Sequence, residues 1–151
     1  MQERGKSIKE LVVKYRTAYD YKPPVGLEVR NPESIAEAFK DMAEESQEVL
    51  TALFLNGRNV LQSFRRVHTG AVTESLADPG VILRDCLLAG CVGLVVMHNH
   101  PSGNTRPSVQ DKRVAEHLEK ACEYLNIKLI DFMIIGDEGQ FYSFAEGGLL
   151  N

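Results

Sequence analysis

The chain has 151 residues, 44% of them apolar and 25% charged. These proportions suit one ordinary globular domain and exclude a disordered tail, a collagen-like repeat or a coiled-coil rod. Lys and Arg number 17 against 21 Asp and Glu, a net charge of −4, which argues against direct nucleic-acid binding because general binders carry a basic surplus.

Met1 to Lys6 has no apolar core of a secretory signal. Ile8 to Tyr15 reads as an edge strand within an N-terminal extension over residues 1–30. Tyr19 to Pro32 is a soft stretch, with Lys22-Pro23-Pro24 and Asn31-Pro32 favouring extended or turn backbone. The compact domain is expected over 31–151. Asn31 followed by Pro32 reads as an N-cap with proline at the first helical position. Ile35, Ala38, Phe39 and Met42 then recur at helical spacing, for a helix ending around Ala43 to Ser46. Glu48 to Leu55 and Val60 to Val67 read as strands joined at Asn56-Gly57, a hairpin signal because both residues tolerate positive φ.

Asp78-Pro79 repeats the cap-then-proline signature and opens a helix through Val81, Ile82, Cys86 and Leu88-Ala89, with Gly90 as its stop. Val92 to Met97 is apolar on both faces, as a central strand requires. It is also the longest apolar stretch, far short of the about 20 residues that span a bilayer. A polar loop, His98 to Pro107, leads into a helix from Ser108 to Leu125 with Ala115, Leu118, Cys122 and Leu125 as its apolar stripe. Lys128 to Ile135 is another strand, Gly136 to Gly139 a turn, and Gln140 to Phe144 a short last strand. Hairpin and strand–helix–strand signals together predict a mixed α/β domain. Cys86, Cys91 and Cys122 show no Cys-x-x-Cys spacing and read as buried free thiols of a cytoplasmic protein.

The chemistry concentrates at the end of the central strand. His98 and His100 stand two apart, so in extended chain both imidazoles point the same way and can converge on one metal. Asp111, in the first turn of the next helix, shares a face with Ala115, Leu118 and Cys122, so its carboxylate points inward. A buried carboxylate needs a partner, and an ion held by His98 and His100 supplies one. Two histidines and a carboxylate leave a fourth tetrahedral position, the pattern of catalytic zinc. Ser108, three residues before Asp111, comes near the same place, where its hydroxyl could donate to a developing oxyanion. Plainer readings stand beside these: Ser108-Val-Gln-Asp111 is also a capping box, and two histidines at this spacing can simply bond backbone. His68 could line a groove or be an ordinary loop histidine, and His117 opposes the apolar stripe and faces solvent. A zinc deaminase would need H-x-E and P-C-x-x-C, and neither is present.

His98-x-His100-x7-Ser108-x2-Asp111 resembles the JAMM motif of MPN/JAB-domain metallopeptidases, and His-Asn-His-Pro-Ser-Gly followed by Pro-Ser-x-x-Asp is similar to their bacterial RadC branch. Phe54-Leu-Asn-Gly-Arg-Asn, Thr69-Gly70 and Ile134-Ile-Gly-Asp extend the resemblance over roughly Asn31 to Gly147. It implies a single α/β domain, a curved mixed β-sheet flanked by helices in a cytidine deaminase-like arrangement. It also implies Zn²⁺ bound by His98, His100 and Asp111, with Ser108 assisting. The family's upstream glutamate maps onto Glu48; from the residues alone, Glu44, Glu45 and Glu48 are not distinguished. Its role is to take a proton as water attacks a carbonyl and return it to the leaving amine.

Eukaryotic deubiquitinating relatives carry Ser or Thr where this chain has Asn99, so ubiquitin specificity is not carried over. RadC proteins also have an N-terminal helix–hairpin–helix region, for which residues 1–30 are too short, so the expectation is the catalytic domain alone. The implied function is a zinc-dependent hydrolase of a peptide or isopeptide bond acting on a peptide or protein substrate. The alternative is a non-catalytic, metal-holding RadC-like module acting in DNA repair or mobile-element biology through partners. A homo-oligomer is left open.

Overall fold

The computed structural model describes residues 10–15, 26–72 and 77–151. Two N-caps start helices where the sequence places them. Asn31 Oδ1 accepts the Ser34 N–H at 2.9 Å and opens α1 (Pro32–Ala38). Asp78 Oδ1 accepts the Gly80 N–H at 2.8 Å and opens α2 (Pro79–Leu88). The first helix does not run on to 43–46. Phe39 leaves helical geometry, and a 3₁₀ turn over Lys40–Glu44 follows; the change of winding lets Phe39 and Met42 both bury completely.

The expected hairpin forms, but not with a two-residue turn. β1 (Val49–Leu55) and β2 (Leu61–Thr69) pair antiparallel. Positive φ falls on Asn59 rather than on Asn56 or Gly57. The Asn56 side chain accounts for this: Oδ1 accepts the N–H groups of Arg58 at 2.9 Å and Val60 at 3.1 Å and so holds a longer loop. β3 (Gly93–Asn99) lies at the centre of a five-stranded sheet of order β2-β1-β3-β4-β5, antiparallel to β1 and parallel to β4 (Lys128–Ile135). The parallel pair is bridged by α3 (Val109–Tyr124), the crossover such a pair needs. β5 (Phe141–Ser143) closes the far edge. β3 takes in His98 and Asn99, which the sequence reading assigned to the loop.

Both central strands are buried throughout, and alternate residues serve two cores. Leu50, Ala52, Phe54, Leu94 and Val96 pack beneath α2 and α3. Val49, Leu53, Leu55, Val95 and Met97 pack against α1 and the 3₁₀ turn. Within α3, Val114 joins Ala115, Leu118 and Cys122 in the core, whereas Leu125, the helix C-cap, is 43% exposed and lies off the stripe. All three cysteines are buried free thiols, and burial pushes Cys86 up to about 11 and Cys122 up to about 12. Residues 10–15 are irregular and exposed, so no edge strand forms there; Ile8 and Lys9 lie outside the described residues. Among the described residues no helix is long and apolar enough to cross a membrane.

Candidate metal centre

His98 pairs across the sheet with Leu50 and points, like its alternate neighbours Leu94 and Val96, toward α3. It is fully buried, and its ring stands edge-on to Phe132 at 5.5 Å. His100 follows on the same side, half-buried just past the strand end. α3 delivers the acid. Ser108 and Asp111 form the reciprocal capping box read from the sequence, with Ser108 Oγ accepting the Asp111 N–H at 3.0 Å and Asp111 Oδ2 accepting the Ser108 N–H at 2.7 Å. The same carboxylate, 4% exposed, meets both imidazoles: Oδ1 lies 3.0 Å from His98 Nε2 and Oδ2 lies 3.3 Å from His100 Nε2. The two Nε2 atoms are 3.0 Å apart.

Those separations can be tested against a bound ion. Ligand atoms at 2.0–2.2 Å from a tetrahedral centre are themselves about 3.3–3.6 Å apart, and the groups here stand slightly closer, at 3.0–3.3 Å. The proton count points the same way. His100 Nδ1 sits 2.6 Å from the Asn104 carbonyl oxygen, which can only accept. Neutral His100 therefore carries its proton on Nδ1 and presents a lone pair at Nε2 to Asp111, which is acceptor-only. A cation relieves that contact. Without one a proton does, and the Asp111 hydrogen bond raises the His100 pKa above its ordinary value. Burial pushes the Asp111 carboxyl up, but the bonds to His100 and His98 outweigh it and hold the group well below the usual carboxylate range.

Glu48 joins the cluster from the residue before β1. Glu48, His98 and His100 each offer a ligand atom, all within 4.8 Å of one another, and could hold a metal ion. Glu48 Oε2 accepts the Val72 N–H at 2.9 Å, and the Gly70 N–H extends the ladder to its carbonyl at 2.7 Å. The neighbouring acids differ: Glu45 pairs with Arg66 at 2.9 Å, and Glu44 is exposed. All five sequence-derived site residues thus lie in one region, with Ser108 reaching it through Asp111. Two supports had no signal in the sequence, the Asn104 carbonyl and the Val72 N–H. His68 is half-buried in β2, opposite Leu50, and His117 is exposed.

A family model for the RadC-like JAB domain matches residues 29–149. The chain belongs to that family. It is similar to the UPF0758 protein of Aquifex aeolicus (strain VF5), 37% identical over 124 residues that make up 82% of this chain and 53% of that protein. The UPF0758 protein of Streptococcus gordonii is 36% identical over 107 residues, 71% of this chain and 47% of its own length. That of Lactococcus lactis subsp. lactis is 40% identical over 106 residues, 70% and 46%. The chain thus spans about half the length of the curated relatives it matches. The five-stranded mixed sheet flanked by helices suits a single JAB domain, and the convergent His and carboxylate groups lie inside the matched region.

Proposed function

We propose that this RadC-like domain is a zinc-dependent hydrolase of a peptide or isopeptide bond in a peptide or protein substrate. His98, His100 and Asp111 would hold the ion. The observation that carries the reading is the meeting of two Nε2 atoms and one buried carboxylate at 3.0–3.3 Å, with the Glu48 carboxylate in the same cluster. Bound there, zinc supplies a Lewis acid for the scissile carbonyl and lowers the pKa of water.

The chain's own groups do the rest. The Val72 N–H holds one oxygen of Glu48 and leaves the other to accept a proton from the attacking water and return it to the leaving amine. The Asn104 carbonyl keeps the His100 proton on Nδ1, so that Nε2 stays a lone-pair donor. Ser108, whose oxygen already accepts from Asp111, retains its own proton for a developing oxyanion.

The test is metal analysis of protein purified without added zinc, followed by hydrolysis of peptide and isopeptide libraries. Wild type should carry one zinc and cut. Asp111→Ala should lose the metal, and Glu48→Gln should keep it while hydrolysis falls by about 10²–10⁴-fold. Zinc bound with every library uncut would favour the non-catalytic metal-holding module acting through partners in DNA repair or mobile-element biology.

A further inference from the structure

The residues that carry Glu48 have no regular structure of their own, lying between the 3₁₀ turn that ends at Glu44 and the start of β1 at Val49. The Gly70 N–H holds the Glu48 carbonyl at 2.7 Å, and a side chain of β3 holds the backbone on either side of it. Asn99, between the two histidines, is fully buried and alternates with His98, so it faces the opposite core. Its Oδ1 accepts the Val49 N–H at 2.8 Å, and its Nδ2 donates to the carbonyls of Gln47 at 3.0 Å and Glu45 at 3.4 Å. One amide thus grips the backbone on both sides of Glu48. The pattern needs an acceptor and two donors on one planar group, which only a carboxamide offers. A hydroxyl carries one proton, and a carboxylate would set its oxygens against two carbonyls.

We propose that Asn99 is the positioning residue for Glu48. Through it the strand that carries His98 and leads to His100 also sets where the Glu48 carboxylate stands, making the imidazole pair and the acid one rigid unit. This deepens the reading of Glu48 as general acid/base and rests on it. A simpler role would be to satisfy backbone groups at the end of the 3₁₀ turn. The two differ at the far end of Glu48. If Asn99 positions the side chain, freeing the backbone must also disturb the bond from the Val72 N–H to Glu48 Oε2.

Amide hydrogen exchange of the metal-free full chain, followed residue by residue by NMR, separates them. In Asn99→Ala the Val49 and Val72 amides should exchange faster together, by about tenfold or more, while Val95 and Phe132 in the core keep wild-type protection. Asn99→Ser, which keeps one of three hydrogen bonds, should show the same paired change to a smaller degree, and it serves as the readout if the alanine variant does not fold. Faster exchange at Val49 with Val72 unchanged overturns the proposal. In zinc-loaded protein that cuts a library substrate, both variants should keep metal stoichiometry and KM while kcat falls, and an unchanged kcat also overturns it. The exchange measurement needs neither zinc nor turnover, so a protein that binds no metal would sink the hydrolase reading and still leave the role of Asn99 decided by Val72.

Discussion

Ser108 has two tasks that a careful choice of substitution can pull apart. Its oxygen caps α3 through the Asp111 N–H, and its proton is assigned to the oxyanion in the proposed reaction. Ser108→Ala should lose about 1 kcal/mol of stability, the usual value of an N-cap, and also slow hydrolysis. Ser108→Asn restores a capping oxygen without the hydroxyl. Chemical denaturation should show its stability recovered while activity stays low, and full activity in the asparagine variant would remove Ser108 from the chemistry. The same segment shows which residues were legible in advance. Asp111 follows from helical spacing, because sharing a face with Ala115, Leu118 and Cys122 sends its carboxylate inward, and the structure buries it. Glu48 does not follow from spacing. Three acids lie within five residues, and what separates them is tertiary: Arg66 takes Glu45 and the Val72 N–H takes Glu48. Only the family resemblance singled it out beforehand.

At the scale of elements, the five strands of the sheet and the helix caps were readable because their causes are local, whereas the strand expected at 8–15 is absent over 10–15 and turns and breaks answered to contacts from elsewhere. Lys128 to Ile135 agrees with β4 at both ends, since alternation and an apolar run fix it. The hairpin turn differs because the Asn56 side chain bonds two backbone groups across it. The loop from His100 to Ser108 shows the non-local kind of constraint most clearly. Gly103 has φ +80°, and a Cβ on Gly136 would lie 2.4 Å from Thr105 Cγ2 and 2.5 Å from the Gly103 carbonyl oxygen. The loop therefore rests directly on the backbone after β4, and this close approach places the Asn104 carbonyl against His100 Nδ1. Gly136→Ala must push the loop outward and loosen that bond. Its expected effect is a drop in zinc affinity of about 10–100-fold, the range for losing an outer partner of a ligating histidine, with the far-ultraviolet spectrum unchanged. Competition against a chromophoric chelator measures it, and wild-type affinity would show that the Asn104 contact does not orient His100.

For the molecule as a whole, the proposed ion would tie β3 to α3 at the point where His98 already meets Asp111. Zinc that binds the folded chain alone stabilises it by about 2.7 kcal/mol when free metal exceeds Kd 100-fold, and at roughly 2–4 °C per kcal/mol for a chain of this length the melting temperature should rise by about 5–10 °C. The rise must depend on pH, and its sign follows from His100. The Asp111 hydrogen bond raises the folded pKa of His100 above 6.5. The metal-free protein therefore gains stability from the charged pair fully below the ordinary histidine value and loses it as pH climbs through the raised one. Zinc needs the neutral ring and competes with that proton. Metal-free stability from this pair falls with rising pH while zinc affinity grows, so the melting-temperature difference between zinc-loaded and chelated protein should widen from about pH 6 to about pH 8. Thermal melts at both pH values test this, with Asp111→Ala as the control that should show no zinc-dependent shift at either. A shift of equal size at both pH values, or one that survives in Asp111→Ala, would mean that zinc binds elsewhere on the chain and that the His–Asp contact is an ordinary buried ion pair.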